Sequence, residues 1–161
     1  MNIFYLHDNP TMCAMLMNDQ HVVKMIVETK QLLSAAHWEL DGFCKAYKRT
    51  HVNHPSAIWV RESRANYDWL YQHLLALVNE FWYRYPDSTA EKTRLHLEVL
   101  RKAPRRLTGT TLTPIRLAMP DYLKALYSGP EAYRMYYSIH KRVQNDGSPF
   151  TWTRRPVPEW F

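Results

Sequence analysis

Near the start of the chain, Asp19-Gln20-His21 is followed by Glu28, seven residues after the histidine. On an α-helix that spacing is about two turns, so His21 and Glu28 share one face. Glu28 is flanked by Met25, Val27 and Leu32. Desolvation among such neighbours disfavours the charged carboxylate and raises its pKa, as a general acid/base working near neutral pH requires. The alternative is a solvent-facing Glu28, with His21 hydrogen-bonded in a polar rim. His51 and His54 are a second close pair, able to bind zinc with the help of a distant carboxylate. However, HExxH is absent, and Pro55 as the first residue of a helix accounts for the Thr50 to Pro55 turn without metal. No metal and no cofactor is expected.

A third constellation is basic and aromatic. Tyr133, Arg134, Tyr136, Tyr137, Lys141 and Arg142 precede a tail with Phe150, Trp152, Arg154, Arg155 and Trp160. Arginine and lysine neutralise phosphates, and flat rings stack on bases at ~1–3 kcal/mol each. Tyr133 and Tyr137 read as core positions of the last helix, with the arginines outside. Arg101, Lys102, Arg105 and Arg106 form a second phosphate-reaching patch. Arg61, Arg64 and Asn66 stand beside Asn53-His54-Pro55 and either face the same cleft as Glu28 or are ordinary solvated charges. Residues 1–100 hold 10 Lys+Arg against 11 Asp+Glu, and residues 101–161 hold 11 against 4. Basicity gathered in the last third points to a polyanionic partner.

The elements that position these groups are helical. Leu16, Val23, Met25, Ile26, Leu32, Leu33, Ala36 and Leu40 recur at helical intervals and predict one long helix over about 11–40, ended by Asp41-Gly42. Pro55 starts a second, to about Tyr85. Ser88 with Glu91 forms a capping box for a third, over about 89–101. An irregular segment with Pro104, Pro114 and Pro120 follows. A short helix comes after Pro120, and another runs from Pro130 to about Val143. No alternating strands remain. The expectation is an all-α, compact single domain over 1–161, with about five helices and an extended surface tail over 147–161.

The D-Q-H run, six further residues and then a glutamate in a long helix resembles the phage pyrimidine-dimer DNA glycosylases of the endonuclease V type. Tyr133-Arg134-Met135-Tyr136-Tyr137 is similar to that family's aromatic-basic segment, one residue longer here. Asn53-His54-Pro55 before a long helix is similar to a feature of bacterial relatives. The Val-Pro-Glu-Trp-Phe tail looks like that of a group of phage proteins.

The resemblance implies a DNA-acting protein whose N-terminal amine, here that of Met1, attacks the sugar C1′ and displaces a damaged base. A Schiff base then undergoes β-elimination. An α-amine with a pKa of about 7.7–8 is substantially unprotonated near neutral pH. Glu28 would stabilise the developing sugar cation and shuttle a proton, with His21 beside it. The target nucleotide or its partner must leave the stack, so a cleft lined with Tyr or Trp is useful.

The chain departs from the family in three respects. Asn2 leaves Met1 in place where the family exposes a small residue. The segment before the glutamate is longer, and Val27 and Gln31 stand where the family has arginines. Strand grip near Glu28 is then poorer, or the substrate differs. Nucleic-acid contacts are expected from Gln20, Asn53, His54, Arg61, Arg64, Arg105, Arg106, Tyr136, Arg154 and Arg155.

Four glycines among 161 residues argue against a Gly-rich nucleotide cradle. Cys13 and Cys44 cannot build a disulfide framework and read as small buried hydrophobes in a reduced cytoplasmic protein, in a phage-infected host. No run is long enough to span a bilayer, and no secretion signal opens the chain. Three functions fit these residues. The first is a glycosylase/lyase on damaged or modified pyrimidines in double-stranded DNA. The second is a base-modifying transferase using the same pocket. The third is a non-catalytic nucleic-acid-binding protein. A monomer without membrane contact is expected in each.

Overall fold

Asn9 opens the first helix, α1 (Pro10–Met15), its side chain accepting the backbone N–H groups of Thr11 and Met12 while Pro10 fills a position with no N–H to satisfy. The chain then breaks at 16–18. Asn18 caps a new helix, α2 (Asp19–Asp41), by accepting the His21 N–H. Gly42 ends α2 in the left-handed conformation at φ 77°. One expected helix is therefore two. The apolar spacing runs on through the break, but a side-chain cap at Asn18 competes with helix continuation and wins.

The same happens further on. α3 (Pro55–Val60) is capped by His54, and α4 (Arg64–Arg84) by Ser63, whose hydroxyl accepts the Asn66 N–H. α5 (Glu91–Leu100), α6 (Asp121–Leu126) and α7 (Gly129–His140) complete the order. The computed structural model describes residues 1–87 and 91–161. Among these it is all-α, with seven helices and one isolated bridge between Val143 and Pro149. The expected Ser88–Glu91 capping box lies outside the described residues.

Helices α2 and α4 pack together, and α1 lies against α4. Met25, Leu32 and Leu33 from α2 meet Leu70, Leu74 and Leu77 from α4, all fully buried; each such side chain contributes about 1.5–3 kcal/mol. Cys13 and Cys44 are buried and free, as expected. The N-terminal segment threads this core. Ile3 and Leu6 are fully buried, and Phe4 holds φ at 51°. Asn2 enforces that turn, its Oδ1 accepting the N–H groups of Ile3 and Phe4.

The tail after α7 carries no helix, in line with the expectation, but it does more than lie on the surface. Trp152 is buried and donates its indole N–H to the Leu16 carbonyl, while Phe161 packs on its ring at 4.7 Å. No described helix is long and apolar enough to cross a membrane.

Candidate active site

Glu28 sits midway along α2 with its side chain 13% exposed. Its Oε2 accepts the backbone N–H of Asn2 at 2.8 Å, and the α-amine of Met1 lies 3.8 Å from the same oxygen. Lys24, one turn earlier, places Nζ 3.6 Å from Oε1. The N-terminus is held there by more than charge. Asn2 is buried, and its Nδ2 donates to the Ala118 carbonyl at 2.9 Å, tying the first residues to the segment before α6. An amine and a carboxylate are thus fixed side by side at the edge of the core.

His54 is the third group near this pair. Its Nδ1 accepts the Ser56 N–H at 3.2 Å, so in this geometry the neutral ring carries its proton on Nε2. Partial burial lowers its pKa, helped by the Met1 ammonium and His51 and opposed by Glu28. Arg61 supports the turn from behind, donating to the Val52 and Ala57 carbonyls. Its guanidinium is spent on the backbone. Asn53, in the same turn, is exposed.

The structure separates His21 from this chemistry. The imidazole is 3% exposed, stacked under Phe4 at 4.4 Å and hydrogen-bonded through Nδ1 to the Tyr137 hydroxyl. Burial, with Lys141 and Lys24 adding to it, pushes its pKa down to about 3. A ring so enclosed is a neutral packing element, so the expected partnership of His21 with Glu28 is replaced by one with Tyr137. Asp19 is likewise a latch. It receives Arg84, the Thr151 and Thr153 hydroxyls and the Thr153 N–H, fastening the tail to the start of α2.

The remaining expected contacts scatter. Gln20 is exposed and meets Gln144 at 3.4 Å. Arg64 is exposed and pairs with Asp68. Arg155 is committed to Glu80 through two 2.9 Å bonds, while exposed Arg154 reaches the Tyr83 carbonyl. Arg105 and Arg106 are exposed and line a cavity of about 310 Å³ with Asp41, beyond the far end of α2. Tyr136 is half-buried and stacks on Phe4 at 6.2 Å, with Lys141 Nζ 5.5 Å from its ring.

Two larger cavities, of about 410 and 370 Å³, are lined by residues around Tyr5 and Thr113 and around Met15 and Tyr83; neither includes Glu28. Among the described residues, no cluster of three or more His, Cys, Asp or Glu is placed to hold a metal ion. Sequence reasoning missed Asn2 and Lys24 beside the Glu28 carboxylate. The i,i+4 spacing of Lys24 and Glu28 was a readable signal.

A family model described as pyrimidine dimer DNA glycosylase matches residues 1–93, a stretch that holds Met1, Glu28 and His54. No curated protein and no solved structure matches the chain. With 93 of its 161 residues inside that match, the chain belongs to the pyrimidine dimer DNA glycosylase family.

Proposed function

We propose that the protein is a DNA glycosylase with an associated lyase step, acting on a damaged or modified pyrimidine in duplex DNA. The observation that carries this reading is the 3.8 Å approach of the Met1 amine to Glu28. In the free-base form, the amine nitrogen donates its pair to the sugar C1′. The glycosidic bond breaks, and the base leaves with that bond's electrons and gains a proton. Loss of a proton from nitrogen and opening of the sugar give a Schiff base. Removal of a C2′ proton then expels the 3′ phosphate by β-elimination. Glu28 stabilises the cationic sugar and carries protons between these steps. His54, as a neutral N–H donor, offers a hydrogen bond without adding a charge beside the nucleophile.

Borohydride reduction during incubation with lesion-bearing duplex tests the reading. The expected result is a covalent adduct on the Met1 nitrogen, located by peptide mass spectrometry, and its loss in Glu28→Gln. Cleavage at the native rate by a chain extended at its N-terminus would overturn the amine mechanism.

A further inference from the structure

The anchor of the N-terminus continues past Ala118 into α7. The Ala118 carbonyl accepts Asn2 Nδ2 at 2.9 Å, and the N–H of the same residue donates to the Tyr133 hydroxyl at 3.3 Å. Tyr133 is fully buried on α7. Three hydrogen bonds in series therefore lead from α7 to Glu28: Tyr133 to Ala118, Ala118 to Asn2, and Asn2 to the Oε2 that lies 3.8 Å from the Met1 amine.

Ala118 owes its orientation to this series. Upstream the chain is pinned at Thr113, whose N–H donates to Asn66 Oδ1 at 2.9 Å and whose carbonyl accepts the Trp59 indole N–H at 3.1 Å. Downstream, regular structure resumes with α6 at Asp121. Between Pro114 and Met119 the peptide groups make two hydrogen bonds among the described residues, and both are at Ala118. Ile115, Leu117 and Met119 pack on the core. Such apolar contacts set the depth of the segment but have no direction, so hydrogen bonds decide how Ala118 is turned. One of the two comes from Asn2, the residue being held. The Tyr133 hydroxyl is the fixed partner.

α7 grips the same N-terminal segment at two further points. The Arg134 guanidinium donates to the Leu6 carbonyl at 2.9 Å, and the Tyr133 ring stands edge-on to Phe4, with centroids 6.5 Å apart. Residues 1–6 belong to no helix, so contacts of this kind give them their position.

We infer that Tyr133 is a positioning residue for the reaction: its hydroxyl fixes the Ala118 peptide, which through Asn2 sets where the Met1 amine stands against Glu28. The inference rests on the amine reading above. It adds to the site a residue of α7, beyond the family match over residues 1–93.

Tyr133→Phe keeps the ring and removes the hydroxyl. Asn2→Leu breaks the other side of the Ala118 link and, as a large residue, also leaves Met1 in place. Tyr137→Phe is the control, since it removes a hydroxyl one turn further on that is bonded to His21 instead. All are compared at a temperature where circular dichroism shows each variant folded. The single-turnover rate of borohydride trapping is measured on a duplex with an abasic site, and the adduct is located by peptide mass spectrometry. Kd is measured for a duplex with a non-cleavable abasic analogue. Release of Met1 by an aminopeptidase is timed in the native, Tyr133→Phe and Tyr137→Phe chains, whose first residues are identical.

Tyr133→Phe should slow trapping at Met1 by about tenfold or more, as a small misplacement of a reacting group does, with Kd unchanged. It should speed Met1 release about tenfold, the weight of one buried hydrogen bond. Tyr137→Phe should match the native chain in both. The double variant Tyr133→Phe/Asn2→Leu should trap no more slowly than Asn2→Leu alone, because the hydroxyl then has nothing left to position.

Where the native chain traps, the inference needs both changes in Tyr133→Phe. Either change alone overturns it, as do native values for both or losses that multiply in the double variant. The native chain also separates the two readings. If it forms no adduct at Met1 while Tyr133→Phe still releases Met1 faster, the lyase chemistry fails and the anchor stands. An adduct on the native chain with Tyr133-independent trapping removes the positioning role alone.

Discussion

The backbone N–H of Asn2 donates to Glu28 Oε2 at 2.8 Å, and that bond decides where the Met1 amine can stand. Glu28→Gln keeps an acceptor oxygen there and removes the charge, whereas Glu28→Ala removes both. Stability and chemistry should therefore separate. The Gln variant should unfold in urea within about 1 kcal/mol of the native chain, and the Ala variant about 1–3 kcal/mol below it, having orphaned a part-buried donor. Both should lose single-turnover strand cleavage by about 10²–10⁴-fold, the usual size of an acid/base contribution. Equal stability of the two variants would show that the Asn2 bond is not an anchor.

Glu28 was legible because its signal is local, a carboxylate at helical spacing among apolar neighbours. Its partner, the Met1 amine, was expected from the family resemblance and not from any spacing in the chain. The Met1 amine reaches Glu28 because Asn2 bonds to Ala118, 116 residues away, and no local pattern records such a contact. His21 failed for the same reason, since its spacing from Glu28 is correct but Tyr137 claims the ring from α7. The helical class followed from periodicity, which also concealed the breaks at Asn18 and Ser63. Both residues are good cap formers, and both lie within runs whose apolar spacing continues unbroken.

Arg84 is fully buried between two carboxylates, Asp19 and Glu80, each 2.8 Å away, and it also donates to the Met15 carbonyl. Arg84→Met fills similar space but leaves Glu80 in the interior with only Arg155. Breaking such a network by removing its central cation costs about 3–5 kcal/mol. Arg155, a quarter exposed, is peripheral, and Arg155→Ala should cost about 1 kcal/mol or less. Chemical denaturation of the two variants measures the contrast. Equal effects would mean that the tail pair matters as much as the buried one.

Acid sensitivity should begin with histidines rather than carboxylates. Burial lowers His21 to about 3 and His73 to about 4, against about 6.5 for an unfolded histidine. Between those values the unfolded chain binds protons that the folded chain refuses. Stability is therefore complete above about pH 6.5 and falls as pH drops toward 4. For Asp19 burial alone would raise the pKa, but hydrogen bonds from Thr151, Arg84 and Thr153 outweigh it and hold the carboxyl below its ordinary range. Glu80 behaves alike under Arg155 and Arg84, so these carboxylates add their loss only below about pH 4. Thermal melts from pH 7.5 to 4.5 should show a steadily falling midpoint. His73→Phe, which keeps the stack on Trp69, should flatten that decline. A native midpoint constant down to pH 4.5 would contradict the assignment.

Trp152 ties the tail to the gap between α1 and α2. Its indole N–H donates to Leu16 at 3.0 Å, and the neighbouring Thr151 and Thr153 grip Asp19 at the first position of α2. The contact thereby fixes where α2 begins, and with it the position of Glu28, two and a half turns further along. A Trp on a surface tail could be truncated at almost no cost, but this one is 6% exposed. Trp152→Ala should destabilise the chain by about 3–5 kcal/mol. Trp152→Phe, which keeps a ring against Phe161 and loses only the Leu16 bond, should cost far less, about 1 kcal/mol plus a small packing term. If the tail also sets the register of the site, Trp152→Phe should slow strand cleavage at a temperature where it is fully folded. Native cleavage by the folded Phe variant would limit the tail to a purely stabilising role.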